Sequence, residues 1–242
     1  MNHRFSILFR HIAKRFSSVE AFGLHLTLGV FAMLCAGWVF AEIAEEVVEG
    51  APLTEFDVWL ANWFHAHKNS AWTPLMLFIT HWHQQAGILA MALLLGLVLR
   101  VRKAHYWLLA LVLSVPGGML LNVLLKYTFQ RARPRFDEPL VTLATYSFPS
   151  GHASGATLFY GFAAAYLVCS VRSNGARLLI MLAAATMVAL VALSRVYLGA
   201  HYLSDVLAGI AFGSAWLAVC VTAISTFRRR RQAQLPADRR SI

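Results

Sequence analysis

Charge is scarce in this chain, and acid is scarcer than base. Only 13% of the 242 residues are charged, 11 acidic and 21 basic. Hydrophobic residues make up 59% and the mean hydropathy is +0.60. That balance excludes an ordinary soluble domain, whose surface needs more charge. Cysteines are few: Cys35, Cys169 and Cys220 each fall inside an apolar run. This excludes a disulfide framework or a cysteine metal set and predicts small buried hydrophobes. The net charge of +10 could suggest nucleic acid. Most basic residues flank hydrophobic runs, however, as membrane proteins place them, so no nucleic-acid partner is expected. No internal repeat is present.

What the chain has is long apolar runs. Ala21–Ile43 is long enough, at about 1.5 Å per residue, to cross a hydrocarbon core of about 30 Å. It exceeds the usual signal-peptide core of roughly 7–15 residues, so it is read as retained. Further spans are expected at Ala86–Val101 (lengthened by residues upstream), His105–Tyr127, His152–Val171, Leu178–Ser194 and Val206–Phe227. Pro116-Gly117-Gly118 predicts a kink in the third, and Gly209 with Gly213 a site of close helix approach in the sixth. Between the first two spans, Phe56, Trp59, Leu60, Trp63 and Phe64 recur at helical spacing and predict an interfacial helix. His81 and His83 lack a third ligand at useful spacing and read as interfacial histidines, not a metal pair. The expected fold is therefore all-α, an integral-membrane bundle of six transmembrane helices with an interfacial helix on its outward side. A basic cytoplasmic arm (1–20) and a basic cytoplasmic tail (228–242) flank a membrane domain at 21–227.

With six spans both termini share a side, and fifteen of the basic residues fall there against six on the other. The positive-inside rule then makes both termini cytoplasmic. Loops 44–85, 128–151 and 195–205 face outward. Four of the six outward bases crowd into 126–135 against that rule, as an anion site would require.

Three clusters lie at span ends on the outward side: Lys126 with Arg133-Pro134, Pro149-Ser150-Gly151-His152, and Ser194-Arg195 followed by His201 and Asp205. On a helix His201 and Asp205 share a face. The carboxylate would accept the Nδ1 proton and leave Nε2 as nucleophile or base. Gly199 supplies a turn that folds Arg195 back toward them. The same stretch also reads as a polar hairpin with a capping His–Asp bond, and taken alone does not choose. Together the clusters suit phosphoryl transfer. Lys126, Arg133 and Arg195 supply cations, and Ser150 and Gly151 sit at a helix N-terminus that favours anions. Asp205 is the sole carboxylate among them, too few to hold Mg²⁺ or Zn²⁺, so no metal or other cofactor is expected.

These motifs resemble the three-part signature of the type 2 phosphatidic acid phosphatase superfamily, complete and in order. The resemblance implies a helical bundle and a phosphohistidine on His201 stabilised by Asp205. It also implies His152 as general acid, with Lys126, Arg133, Ser150, Gly151 and Arg195 around the phosphate. The expected protein is a metal-independent lipid phosphate phosphatase of a bacterial cytoplasmic membrane, its site facing the exterior and its partners a phosphorylated lipid and the bilayer. Undecaprenyl pyrophosphate is the first expectation for substrate. Phosphatidylglycerophosphate, phosphatidic acid, lipid A and transfer to an acceptor lipid are alternatives.

Overall fold

The computed structural model describes residues 21–50, 52–141 and 143–234. The arm at 1–20 and the last residues of the tail lie outside them. Every element among the described residues is a helix: α1 Ala21–Glu49, α2 Pro52–Ala66, α3 Trp72–Trp82, α4 Gln85–Val101, α5 His105–Phe129, α6 Gly151–Ser170, α7 Asn174–Tyr197 and α8 Leu203–Gln234. Five are long and apolar enough to cross a membrane, and the count rises to six if the bent pair α3–α4 is one span. The protein is thus an all-α, multi-pass membrane bundle.

Helix ends depart from the sequence reading where local propensity carries on past the apolar run. α1 continues through Glu42, Glu45 and Glu46 and stops at Gly50, whose φ of +72° is the left-handed stop that favours glycine. α8 continues past Phe227 through Arg228–Arg231 to Gln234, because arginine and glutamine are good helix formers. The second span differs from the reading in shape. Upstream residues do not lengthen α4; they form α3, set at 56° to it across a break at His83-Gln84. α4 alone, at 17 residues, reaches about 26 Å and falls short of the core. The segment between the first two apolar runs holds α2, along which Phe56, Trp59 and Trp63 are exposed, and then α3. Pro116 does not break α5, and beside it Trp216 Nε1 donates to the Leu113 carbonyl at 3.0 Å.

α8 packs along α1 and against α6, which also meets α5 and α7. In lipid such packing rests on close contact rather than on water exclusion, and the two glycines of α8 supply it. A Cβ at Gly209 would stand 2.7 Å from the Ser150 carbonyl oxygen, and one at Gly213 3.0 Å from Thr157 Cβ. α6 is thereby seated tightly with its N-terminus beside the start of α8. Ile88, Leu99, Leu111, Val115, Leu158 and Phe162 fill the core between α4, α5 and α6. Leu28, Phe31, Leu34 and Trp38 on α1 and Leu178, Leu179 and Leu182 on α7 point outward, as lipid-facing surfaces require. Cys35 and Cys169 are exposed on such faces and only Cys220 is buried, which corrects the expectation for the first two.

Candidate active site

Four helix ends converge on one side of the bundle. α5 stops where Gln130 turns left-handed at φ +49°, its N–H bonded to the Lys126 carbonyl at 3.0 Å. An irregular segment then runs to Ser150, whose hydroxyl caps α6 by accepting from Ala153 N at 3.4 Å. After α7 the chain reverses at Gly199, with φ +66°. A side chain there would also strike the Phe136 ring, its Cβ 2.6 Å from the nearest ring carbon. The turn carries His201 back over the end of α7, ahead of α8.

Lys126, Arg133, Gly151, His152, Arg195 and His201 line one cavity of about 740 Å³, together with Thr80, Gln84, Gln85 and Ala86 around the α3–α4 break and Leu140, Val141 and Leu143 after α5. Ser150 and Asp205 stand behind its wall, both fully buried. The Ser150 hydroxyl is therefore a helix cap and not a ligand on the cavity surface. Arg133 also lines a second cavity of about 570 Å³, with Arg131 and Arg135.

The donors around the cavity divide sharply. Arg133 is engaged throughout: Nε donates to Thr145 O at 2.6 Å, and Nη2 to Thr145 Oγ1 and Tyr146 O, both at 3.0 Å. Its Nη1 donates to Ala200 O at 2.6 Å and to His201 Nε2 at 3.0 Å. Lys126 Nζ donates to Tyr146 O at 2.6 Å and Ser147 O at 3.2 Å, which leaves one of its N–H groups for a ligand. Arg195 is 2% exposed and bonds through Nη1 to Thr80 Oγ1. Its Nε and Nη2, with His152 Nε2, are buried without a hydrogen-bond partner. A buried unpaired donor costs about 1–3 kcal/mol, so this group is arranged for an acceptor that enters the cavity.

His201 is poised by its neighbours. A guanidinium can only donate, so the contact from Arg133 Nη1 fixes Nε2 as the acceptor and Nδ1 as the protonated nitrogen. Nδ1 lies 3.3 Å from Ser147 Oγ and 3.4 Å from Asp205 Oδ2, while Ser147 Oγ donates to that same Oδ2. The sequence placed His201 and Asp205 together on a helix. Here His201 precedes the helix, and Ser147 Oγ stands beside the pair, within reach of both Nδ1 and Oδ2. Burial, followed by Arg133, Arg195 and Lys126, pushes the His201 pKa well below the ordinary 6.5, so the imidazole is neutral, with its Nε2 lone pair occupied by the Arg133 N–H.

Asp205 is held by more than His201. Its Oδ2 accepts from Tyr202 N at 2.9 Å and its Oδ1 from Arg131 Nη1 at 2.6 Å. Arg131 Nη2 reaches on to Asp57 Oδ2 at 2.8 Å. Burial works against the Arg131 charge, but Asp205 and Asp57 outweigh it and raise its pKa. Sequence reasoning did not assign Ser147, Arg131, Asp57 or Thr80 to the site. One signal was present for Asp57: it lies on the buried stripe of α2 with Ala61, flanked by half-buried Leu53, Leu60 and Phe64, where a carboxylate must have a partner. His83 is structural, its ring bonded to Ile79 O at 2.7 Å and the Tyr160 hydroxyl at 2.8 Å. Among the described residues no three His, Cys, Asp or Glu side chains converge as a metal site.

A membrane-embedded helical bundle whose helix ends gather cations and paired histidines in one cavity defines a class, the membrane lipid-phosphate phosphatases. Residues 106–229 match the family model of the PAP2 superfamily, and the chain belongs to that family. It is 33% identical over 140 residues to phosphatidylglycerophosphatase B of Bacillus subtilis (strain 168), covering 57% of this chain and 68% of that protein. It is 36% identical over 129 residues to decaprenylphosphoryl-5-phosphoribose phosphatase of Mycobacterium tuberculosis (strain ATCC 25618 / H37Rv), covering 50% of this chain and 63% of that protein. A crystal structure of a transmembrane PAP2 type phosphatidylglycerolphosphate phosphatase from Bacillus subtilis superposes with a TM-score of 0.74 at 25% identity, over 83% of this chain and 97% of that one. The protein is accordingly a hydrolase of lipid phosphates.

Proposed function

We propose that the protein removes the terminal phosphate of a membrane lipid that carries a second phosphorus group between that phosphate and its apolar part. His201 Nε2 attacks phosphorus and forms the P–N bond while the bond to the leaving oxygen breaks; His152 gives that oxygen a proton. Arg133 Nη1 exchanges His201 for a phosphate oxygen, so the contact that masks the nucleophile becomes one that holds the substrate. Lys126, Arg195 and the N-terminal N–H groups of α6 take the remaining oxygens. Water, deprotonated by His152, then attacks the phosphohistidine and phosphate leaves. The second cavity beside Arg133 gives water and phosphate a path that avoids the lipid.

The observation that carries this reading is the set of unpartnered donors on Arg195, beside Lys126 and facing His201 Nε2. The cavity is several times larger than a phosphate, and its lining holds Gln84 and Gln85 beside Leu140, Val141 and Leu143. The two glutamines would donate to a second phosphorus group, and the apolar residues would meet the start of the lipid chain. Undecaprenyl pyrophosphate and phosphatidylglycerophosphate both carry such a second group; phosphatidic acid does not. The orientation that fits the charge bias puts the cavity outside the cytoplasmic membrane of a bacterium, with both termini and the basic tail inside. The test is phosphate release from these lipids in detergent micelles, with excess chelator, beside His201→Ala. Turnover of both lipids with the second group well above phosphatidic acid, unaffected by chelator and absent from the variant, is expected. Equal turnover by His201→Ala removes the nucleophile, and a preference for phosphatidic acid removes the role of the second group.

A further inference from the structure

Asp57 belongs to no motif, sits on α2 outside the lining of either cavity and is 0% exposed. Each of its contacts leads to the turn that bears the nucleophile. Oδ1 accepts from Ser204 N at 3.0 Å, and Oδ2 from Ser204 Oγ and from Arg131 Nη2 at 2.8 Å. Arg131 Nη1 then donates to Ser204 Oγ and Asp205 Oδ1, both at 2.6 Å, while its guanidinium lies over the Tyr202 ring at 4.5 Å.

Counting charge gives this chain of contacts a purpose. Attack by His201 Nε2 with Nδ1 still protonated leaves a cationic imidazole, which Asp205 must stabilise. Arg131, bonded to the other oxygen of Asp205, offsets part of the field that Asp205 exerts at His201. A second carboxylate on the far side of Arg131 restores a net single negative charge beneath the imidazole. We propose that Asp57 is a positioning residue of the reaction: by neutralising Arg131 it keeps the Asp205 charge available to His201. The proposal rests on the reading of His201 as nucleophile.

The experiment compares Asp57→Asn, Asp57→Glu, the double variant Asp57→Asn/Arg131→Gln and His201→Ala as full-length protein in detergent. Farnesyl pyrophosphate is the probe, and melting temperature checks that each variant is folded. Asp57→Asn should lower kcat by about 10- to 100-fold, as for loss of one interaction with a charged group, with KM little changed. Removing Arg131 as well leaves Asp205 unopposed, so the double variant should regain at least about fivefold in kcat over the single one. Asp57→Glu should keep kcat within about fivefold of the parent. A folded double variant no faster than Asp57→Asn, or a folded Asp57→Glu as slow as it, shows a merely structural contact and overturns the proposal. Parent-like turnover by His201→Ala would bring down the nucleophile and the proposal with it. A dead His201→Ala beside an unaffected Asp57→Asn brings down the proposal alone.

Discussion

Asp205→Asn isolates the charge that supports the nucleophile while preserving shape. The Asp205 carboxylate faces donors on both sides: Arg131 Nη1 at 2.6 Å on Oδ1, and Ser147 Oγ with Tyr202 N on Oδ2. An amide nitrogen therefore meets a donor in either orientation. Turning it toward Arg131 loses one ion pair and keeps two bonds, so that orientation should be adopted, at a cost of about 1–3 kcal/mol in stability. The catalytic loss is larger. With Asp205 Oδ2 3.4 Å from His201 Nδ1, removing a unit charge at an effective dielectric of about 20 forfeits about 5 kcal/mol in support of the cationic imidazole. That converts to roughly 10³- to 10⁴-fold in kcat, the scale on which the aspartate of a serine-protease triad acts. The assay is single-turnover phosphate release at saturating lipid, with alkaline trapping of the phosphoenzyme and a melting curve to confirm the fold. A folded Asp205→Asn within tenfold of the parent would refute the assignment of that charge to the transition state.

His152→Ala should depend on the leaving group: about 10²- to 10⁴-fold slower on a phosphomonoester, whose alkoxide needs a proton, and far less affected on a pyrophosphate, measured as the ratio of initial rates on the two. Equal losses on both would place His152 in binding and not in proton transfer. His201 is held neutral in the folded protein by burial and by Arg133, Arg195 and Lys126, whereas the unfolded chain takes up a proton as pH falls below about 6.5. Stability should therefore decline on acidification below that value by up to about 1.4 kcal/mol per pH unit from this residue. The slope should flatten in His201→Asn, read by intrinsic fluorescence melting, and an unchanged slope would refute the linkage. Gly209→Val should place methyl carbons against the Ser150 carbonyl, displace the N-terminus of α6 and cost about 1–3 kcal/mol by overpacking; a melting temperature within a degree of the parent would contradict the packing described.

The sequence alone determined the solvent and the chemistry. Apolar runs bounded by clustered bases specify helices in a bilayer, because an unpaired backbone cannot cross it. Lys126, Arg133, Gly151, His152, Arg195 and His201, which line one cavity, were legible because they fall at span ends in three short clusters on one side, with their bases set against the charge bias of that side. Tertiary structure decided the rest. It bent the chain at His83-Gln84, bringing Gln84 and Gln85 into the cavity lining. It also assigned the Ser150 hydroxyl to capping and set Ser147 beside both His201 and Asp205. Asp57 and Arg131 are 74 residues apart, and Thr80 and Arg195 are 115 apart. Neither pair follows a period or a motif, since a side chain's partner across helices is fixed by how closely those helices approach, and that depends on every residue packed between them.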